Sequence, residues 1–173
     1  MKVQKLKDDI ETLKKYHILK TNRKKIDDVL KEIEKLSSEL YEKQNNYKKI
    51  VDTNYFIKDK LSISETELKK YNKLTKIINY YKYKKVKEDN KELLQEVTEA
   101  LAKEETQKLE IDLLEKKIKS ILDDLSRLCG FPFTKEYYSS FLEEFRDKQY
   151  YNTNLIELIN KKEEELKKYE ENE

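Results

Sequence analysis

VKEDNKELLQEVTEALAKEETQKLEIDLLEKKIKSILDDLSRL, residues 86–128, contains neither glycine nor proline, and its apolar positions follow steps of three and four. Val86, Leu93, Val97, Ala100, Ile111, Leu114, Ile118, Ile121, Leu125 and Leu128 therefore fall on one seam of a long amphipathic helix, the spacing that keeps a stripe turned toward a partner helix. Such a stripe cannot stay in water. Another segment of the chain, a second copy or a different protein must cover it. The run stops at Cys129-Gly130-Phe131-Pro132, where Gly130 suits a left-handed cap and Pro132 cannot continue a helix.

Composition agrees with this reading. Of 173 residues 43% are charged and 36% hydrophobic, and Gly130 and Pro132 are the only residues of their types. Sheets need turn residues at many points, so the fold class is all-α. The 38 basic and 36 acidic side chains give a net charge of +2, which by itself calls for neither nucleic acid nor an acidic partner. The charges are unevenly spread, because residues 134–173 carry 7 basic and 11 acidic side chains, net −4, leaving +6 for the part before them. A single cysteine excludes an intramolecular disulfide and favours a reducing, intracellular setting. With no run of about 18 apolar residues, and a start that lacks the apolar core of a secretion signal, the expectation is a soluble cytoplasmic protein with no membrane span.

Upstream, Val3, Leu6, Ile10 and Leu13 share a seam, the pattern lapses from Tyr16 to Lys25, and Ile26, Val29, Ile33, Leu36, Leu40, Tyr47, Ile50 and Ile57 resume it. Thr21-Asn22 marks either a stutter in one helix or a short break between two, and the stutter is favoured. Ser64 and Glu67 have capping-box spacing, which places a helix start there and a reversal near residues 61–63. Facing residues would then have numbers totalling about 125, pairing Ile57 with Leu68, Tyr47 with Ile78 and Ile33 with Leu93, and the lapse before Ile26 would face Glu104 and Gln107. A parallel homodimer would align each lapse with itself, so a homo-oligomer is the competing arrangement. From Ser64 to Leu128 the second helix would be about 97 Å long. The expected architecture is an elongated antiparallel coiled-coil hairpin over residues 1–128, followed by a C-terminal helical segment, 129–173, with one or two helices on the open end. Thr134 would cap the first of these, and Asn152-Thr153-Asn154 would separate it from a second bearing Leu155, Ile156, Leu158, Ile159, Leu166 and Tyr169.

Two features carry chemistry. The run from Leu68 to Lys87 contains eight lysines and no acid. Read as one helix, it lines up Lys69, Lys73, Lys76, Tyr80, Lys84 and Lys87 over about 27 Å, with Tyr71, Leu74, Ile78 and Tyr81 opposite, toward the seam. That stripe could follow a phosphate backbone or lie on an anionic membrane, with Tyr80 and Tyr83 stacking on bases; a solvated lysine face is the plain alternative. The second feature is the aromatic cluster Phe131, Phe133, Tyr137, Tyr138, Phe141 and Phe145, which is a protein-contact patch or, more simply, the core where three helices meet.

Material for catalysis is scarce. His17 and Cys129 are the only residues of their types, and in the expected register they lie about 32 Å apart, too far for a dyad. One glycine cannot build a phosphate loop, and no metal-ligand spacing occurs. Glu163-Glu164-Glu165 reads as a solvated helix face. No enzyme activity, cofactor or metal is expected. A long hairpin with an interrupted seam resembles the coiled-coil arms of SMC-type, kinetochore and tethering proteins, a likeness of architectural class that transfers no functional residue. The function expected is a non-catalytic scaffolding or regulatory, inhibitor-like protein that binds a larger protein partner, with nucleic-acid binding through the lysine stripe as the alternative.

Overall fold

The computed structural model describes residues 1–147 and 153–172, and every regular element among them is helical: α1 (Lys2–Thr21), α2 (Arg23–Lys69), α3 (Lys73–Ile78), α4 (Tyr80–Cys129), α5 (Lys135–Asp147) and α6 (Leu155–Glu170). The protein is an all-α helical hairpin, α2 against α4, with C-terminal helices. It divides into two compact units, one formed by Met1–Glu34 with Ile118–Glu173 and the other by Lys35–Lys117.

In the unit of residues 35–117, α2 and α4 run antiparallel in a register different from the one the sequence pattern suggested. Lys43 Nζ lies 3.1 Å from Glu110 Oε2, the Asn54 amide donates to Ala100 O (3.0 Å) and Glu104 Oε2 (2.8 Å), and the Asn90 amide donates to Ser64 Oγ (3.3 Å). Each such pair is centred near residue 77, so the reversal expected at 61–63 is displaced by more than ten residues. Ser62 and Ser64 lie inside α2. The physical reason is that the three-and-four spacing continues through Leu61, Ser64, Leu68 and Tyr71; Ser64 is a buried seam residue, not a cap. Glu104 is matched by Asn54 instead of by the lapse before Ile26. Among the described residues the apolar core of this unit is thin: Leu36, Val97, Ile111 and Leu114 are its buried apolar side chains, with Asn54 and Ser64 beside them.

The other unit holds the dense core. The stretch from Tyr16 to Lys25, which looked like a lapse, contains Leu19, and Leu19 and Ile26 are both 0% exposed. Between them α1 ends and α2 begins at Asn22, so the short break is realised and the stutter is not. The interruption is small: Asn22 N donates to Ile18 O (3.1 Å) and Ile26 N to Asn22 O (2.9 Å), while the Asn22 amide also donates to Ile18 O. Around Leu19 and Ile26 gather Ile10, Leu13, Tyr16, Leu125 and Cys129, with Phe133, Tyr138, Phe141 and Phe145 from the corner and α5, and Leu155 and Ile159 from α6.

The corner forms as its residues dictate. Gly130 takes φ 75, a left-handed conformation costly for residues with a Cβ. Ser126 Oγ accepts from Phe133 N (2.9 Å) and Thr134 Oγ1 caps α5 by accepting from Tyr137 N (3.1 Å). Asn154 caps α6, its side chain accepting from Ile156 N and Glu157 N; Asn152 lies outside the described residues. α6 runs against α1, flanked by Lys7–Glu170 (3.0 Å), Lys14–Glu163 (2.6 Å) and Lys162–Asp9 (3.3 Å). Glu163 is thus an ion-pair partner, and such half-exposed pairs contribute at most about 1 kcal/mol each.

Candidate functional site

The reversal between α2 and α4 is built from local polar bonds. After Lys69, Lys70 N donates to Glu67 O (3.1 Å) and Tyr71 N to Leu68 O (3.3 Å), closing α2. Asn72 then adopts an extended conformation and caps α3: its Oδ1 accepts from Thr75 N (2.9 Å) while Asn72 N donates to Thr75 Oγ1 (2.8 Å). This reciprocal pair is the capping box that Ser64 and Glu67 only resembled. α3 ends at Asn79, whose N donates to Thr75 O and whose carbonyl accepts from Tyr83 N, both at 2.9 Å, so α4 starts on the next residue. Below the turn the Tyr71 and Tyr83 rings meet at 5.4 Å between centroids, with Lys76 Nζ 5.0 Å from the Tyr83 centroid.

Nearly all the apolar side chains of this turn are left in water. Leu74, Ile77 and Ile78 are 66%, 76% and 68% exposed, and Tyr81 reaches 86%. A six-residue helix has no second apolar element here to lie on. Apolar residues scattered singly on a surface are ordinary; four within eight residues of one turn form a patch.

The lysines fall differently from the expected stripe. Lys69 ends α2, Lys73 and Lys76 belong to α3, and Tyr80, Lys84 and Lys87 lie on the first turns of α4. One continuous helical face over these six residues does not exist, because the chain turns at Tyr71-Asn72 and again at Asn79. The lysines instead surround the turn, and Lys76 is partly buried over Tyr83. Leu74, Ile78 and Tyr81, expected toward the seam, face solvent, while Tyr71 does pack. Sequence reasoning missed Ile77 and the exposure of its neighbours. Asn72 and Asn79, two cap-forming residues bracketing the short apolar run, were the available signal.

A second feature lies on the flank of α4. Tyr80, Leu94 and Leu101, separated by multiples of seven residues, sit one position beyond the seam residues Leu93 and Ala100 and remain exposed. An open groove of about 580 Å³ lies beside Tyr80 and Leu94 and ends before Leu101; Leu68, Tyr83, Lys84, Lys87, Glu88 and Lys91 also line it.

The aromatic cluster is core. Phe133, Tyr138, Phe141 and Phe145 are buried and Phe131 and Tyr137 pack against them. Tyr16 Oη donates to Glu144, and Tyr138 Oη donates to Asp27 Oδ1 at 2.6 Å. Burial, and secondly the Asp27 carboxylate, raises the Tyr138 phenol above its ordinary value, and burial raises the Cys129 thiol. A buried thiol held in its neutral form is a poor nucleophile. Among the described residues no group of three or more His, Cys, Asp or Glu side chains is placed to hold a metal ion, and no helix is long and apolar enough to cross a membrane. Comparison with known protein families, with curated proteins and with solved structures finds no match.

Proposed function

We propose that this chain is a non-catalytic interaction protein, a scaffold or regulator that takes an amphipathic helix of a larger protein along the outer flank of α4. The observation that carries this reading is the exposed apolar line Tyr80, Leu94 and Leu101, the first two of which line an open groove. A two-helix pairing needs only its seam; an apolar line next to the seam widens the stripe to what a third helix covers. Lys84, Lys87 and Lys91 outnumber Glu88 along the groove and suit an acidic rim on the partner helix.

A photo-crosslinking residue at position 94 tests this in extracts of the native source. It should trap a specific protein, a crosslinker at the exposed Glu92, on the opposite side of α4, should not, and Leu94→Glu with Leu101→Glu should remove competition by unlabelled protein while leaving helicity intact. A crosslink only to a second copy of this chain would replace the larger partner with a homo-oligomer. The alternative reading, nucleic acid held by Lys69, Lys73, Lys84 and Lys87, draws on the acid-free run around the turn. It requires capture that nuclease abolishes and affinity that falls steeply with salt.

A further inference from the structure

We propose that the turn joining α2 to α4 is a membrane-surface anchor: Leu74, Ile77, Ile78 and Tyr81 enter the interfacial zone of an anionic bilayer while the surrounding lysines meet the lipid headgroups. This goes beyond the protein-partner reading and uses a different surface, the end of the hairpin rather than its flank.

Three observations converge. The first is the patch itself, three aliphatic side chains and a tyrosine mostly in water on one short turn. The second is charge. From Leu68 to Lys87 eight lysines occur without a single acid, in a chain whose overall balance is nearly neutral. A surface meant only for solubility would mix the two signs, as the rest of this chain does. The third is the way the backbone is satisfied. The capping box pairs the N–H groups of Asn72 and Thr75, and Lys76 N and Asn79 N donate to Asn72 O and Thr75 O, so these groups need no water when the neighbouring apolar side chains leave it.

The combination selects lipid over nucleic acid. A phosphate backbone would engage the lysines, and bases could stack on Tyr80, Tyr81 or Tyr83, but exposed Leu74, Ile77 and Ile78 have no counterpart on a polyanion. An anionic bilayer uses both. Short apolar side chains reach about 5–10 Å into the headgroup and acyl boundary, tyrosines favour that depth, and lysines lay their stems along the apolar layer with the ammonium groups among the phosphates. Neither part suffices alone. Surface binding of this kind needs two signals, an apolar one and a basic one, and the turn carries both.

The test uses the full chain and vesicles of phosphatidylcholine with about 30% phosphatidylserine at about 150 mM salt, where remote charges are screened. Wild-type protein should float with these vesicles and not with pure phosphatidylcholine. Leu74→Ser, Ile77→Ser and Ile78→Ser together should lower partitioning by about 100-fold or more, since three aliphatic side chains lose their transfer into the bilayer. Lys73→Gln, Lys82→Gln and Lys85→Gln together should lower it by about tenfold or more, by removing cations near the surface. All six replaced residues are exposed and none belongs to the Tyr71, Tyr83 and Lys76 contact, so circular dichroism and melting of the variants should match wild type. The chain has no tryptophan, so Ile77→Trp supplies a single reporter, whose emission should shift to the blue on vesicle addition. Absence of vesicle binding at this salt, or binding that the serine variant keeps, overturns the proposal. So does tight binding of RNA or duplex DNA that the serine variant keeps in the absence of vesicle binding, which would assign the turn to nucleic acid. Leu94→Glu with Leu101→Glu should float like wild type, so failure of the lipid assay leaves the protein-partner reading standing, and the reverse.

Discussion

The core around α5 and the turn around α3 are made from similar residues. Phe133, Tyr138, Phe141 and Phe145 enter the interior of one unit, whereas Leu74, Ile77, Ile78 and Tyr81 stay in water on the other. The difference lies in what accompanies them. The aromatics of the core have α1, α6 and the ends of α2 and α4 to pack on, and acids to receive their hydroxyls: Glu144 for Tyr16 and Asp27 for Tyr138. α3 buries none of its residues, and the run from Leu68 to Lys87 around it carries lysines and no acid, with Glu67 and Glu88 just outside it. Apolar content alone therefore does not identify a core; the charges interleaved with it, and the elements within reach, decide.

The largest effect separates the two regions directly. Phe141 is 1% exposed and touches Tyr16 and Phe145 at 5.2 Å between ring centroids, so Phe141→Ala should cost about 3–5 kcal/mol in chemical denaturation. Ile77→Ala should stay within about 0.5 kcal/mol of wild type. Comparable losses from both would abolish the distinction between core and turn.

Of intermediate size is the effect of the buried polar seam. Asn54→Ala leaves the Ala100 carbonyl and Glu104 without their amide partner and should cost about 1–3 kcal/mol. The register it belongs to can be checked separately: cysteines at 64 and 90, with Cys129 replaced, should cross-link within one chain, whereas cysteines at 57 and 68 lie on one helix about 16 Å apart and should not. The opposite pattern would restore a reversal near residue 62.

The smallest effect is confined to alkaline solution. Because folding raises the Tyr138 phenol above its ordinary value of 10.0, its contribution is fully present below that pH. Above it the unfolded chain gives up the proton while the folded chain keeps it, so stability falls as pH rises. Melting temperature should decline between about pH 9 and 11 in wild type and decline less in Tyr138→Phe. Equal declines would remove the buried hydroxyl from the account of the core.

Much of the seam of α4 could be read from its apolar residues, because those from Val86 to Ala100 and from Ile111 to Leu128 fall at three-and-four spacing, and so could the corner, where Gly130, Pro132 and Thr134 each act locally. The reversal could not. Asn54 and Ser64 occupy seam positions while looking like interruptions, and only their partners across the pair, Ala100, Glu104 and Asn90, show that the seam continues. A cap at Ser64 would shift the whole register and place the lysines on a single helix, whereas Ser64 lies buried inside α2. Leu19 is hidden for a related reason: the core it joins draws residues from α4, α5 and α6, and no pattern local to residues 16–25 reveals them. For the candidate site, the acid-free lysine run was visible in the sequence, but which apolar residues it surrounds depended on where the chain turns.

The place of that turn also orders the entropic cost of assembling the chain. Asn90 meets Ser64 across 26 residues, Asn54 meets Ala100 across 46 and Lys43 meets Glu110 across 67, so each pairing outward from the Asn72 cap closes a loop only modestly longer than one already formed. Loop-closure entropy grows only with the logarithm of loop length, and pairing that spreads from the turn incurs it in small increments. Tyr16 and Glu144, by contrast, are 128 residues apart, and Asp9 and Lys162 are 153 apart. During synthesis α1 must wait for α6 to emerge, whereas the pairs nearest the Asn72 turn have every residue they need long before that.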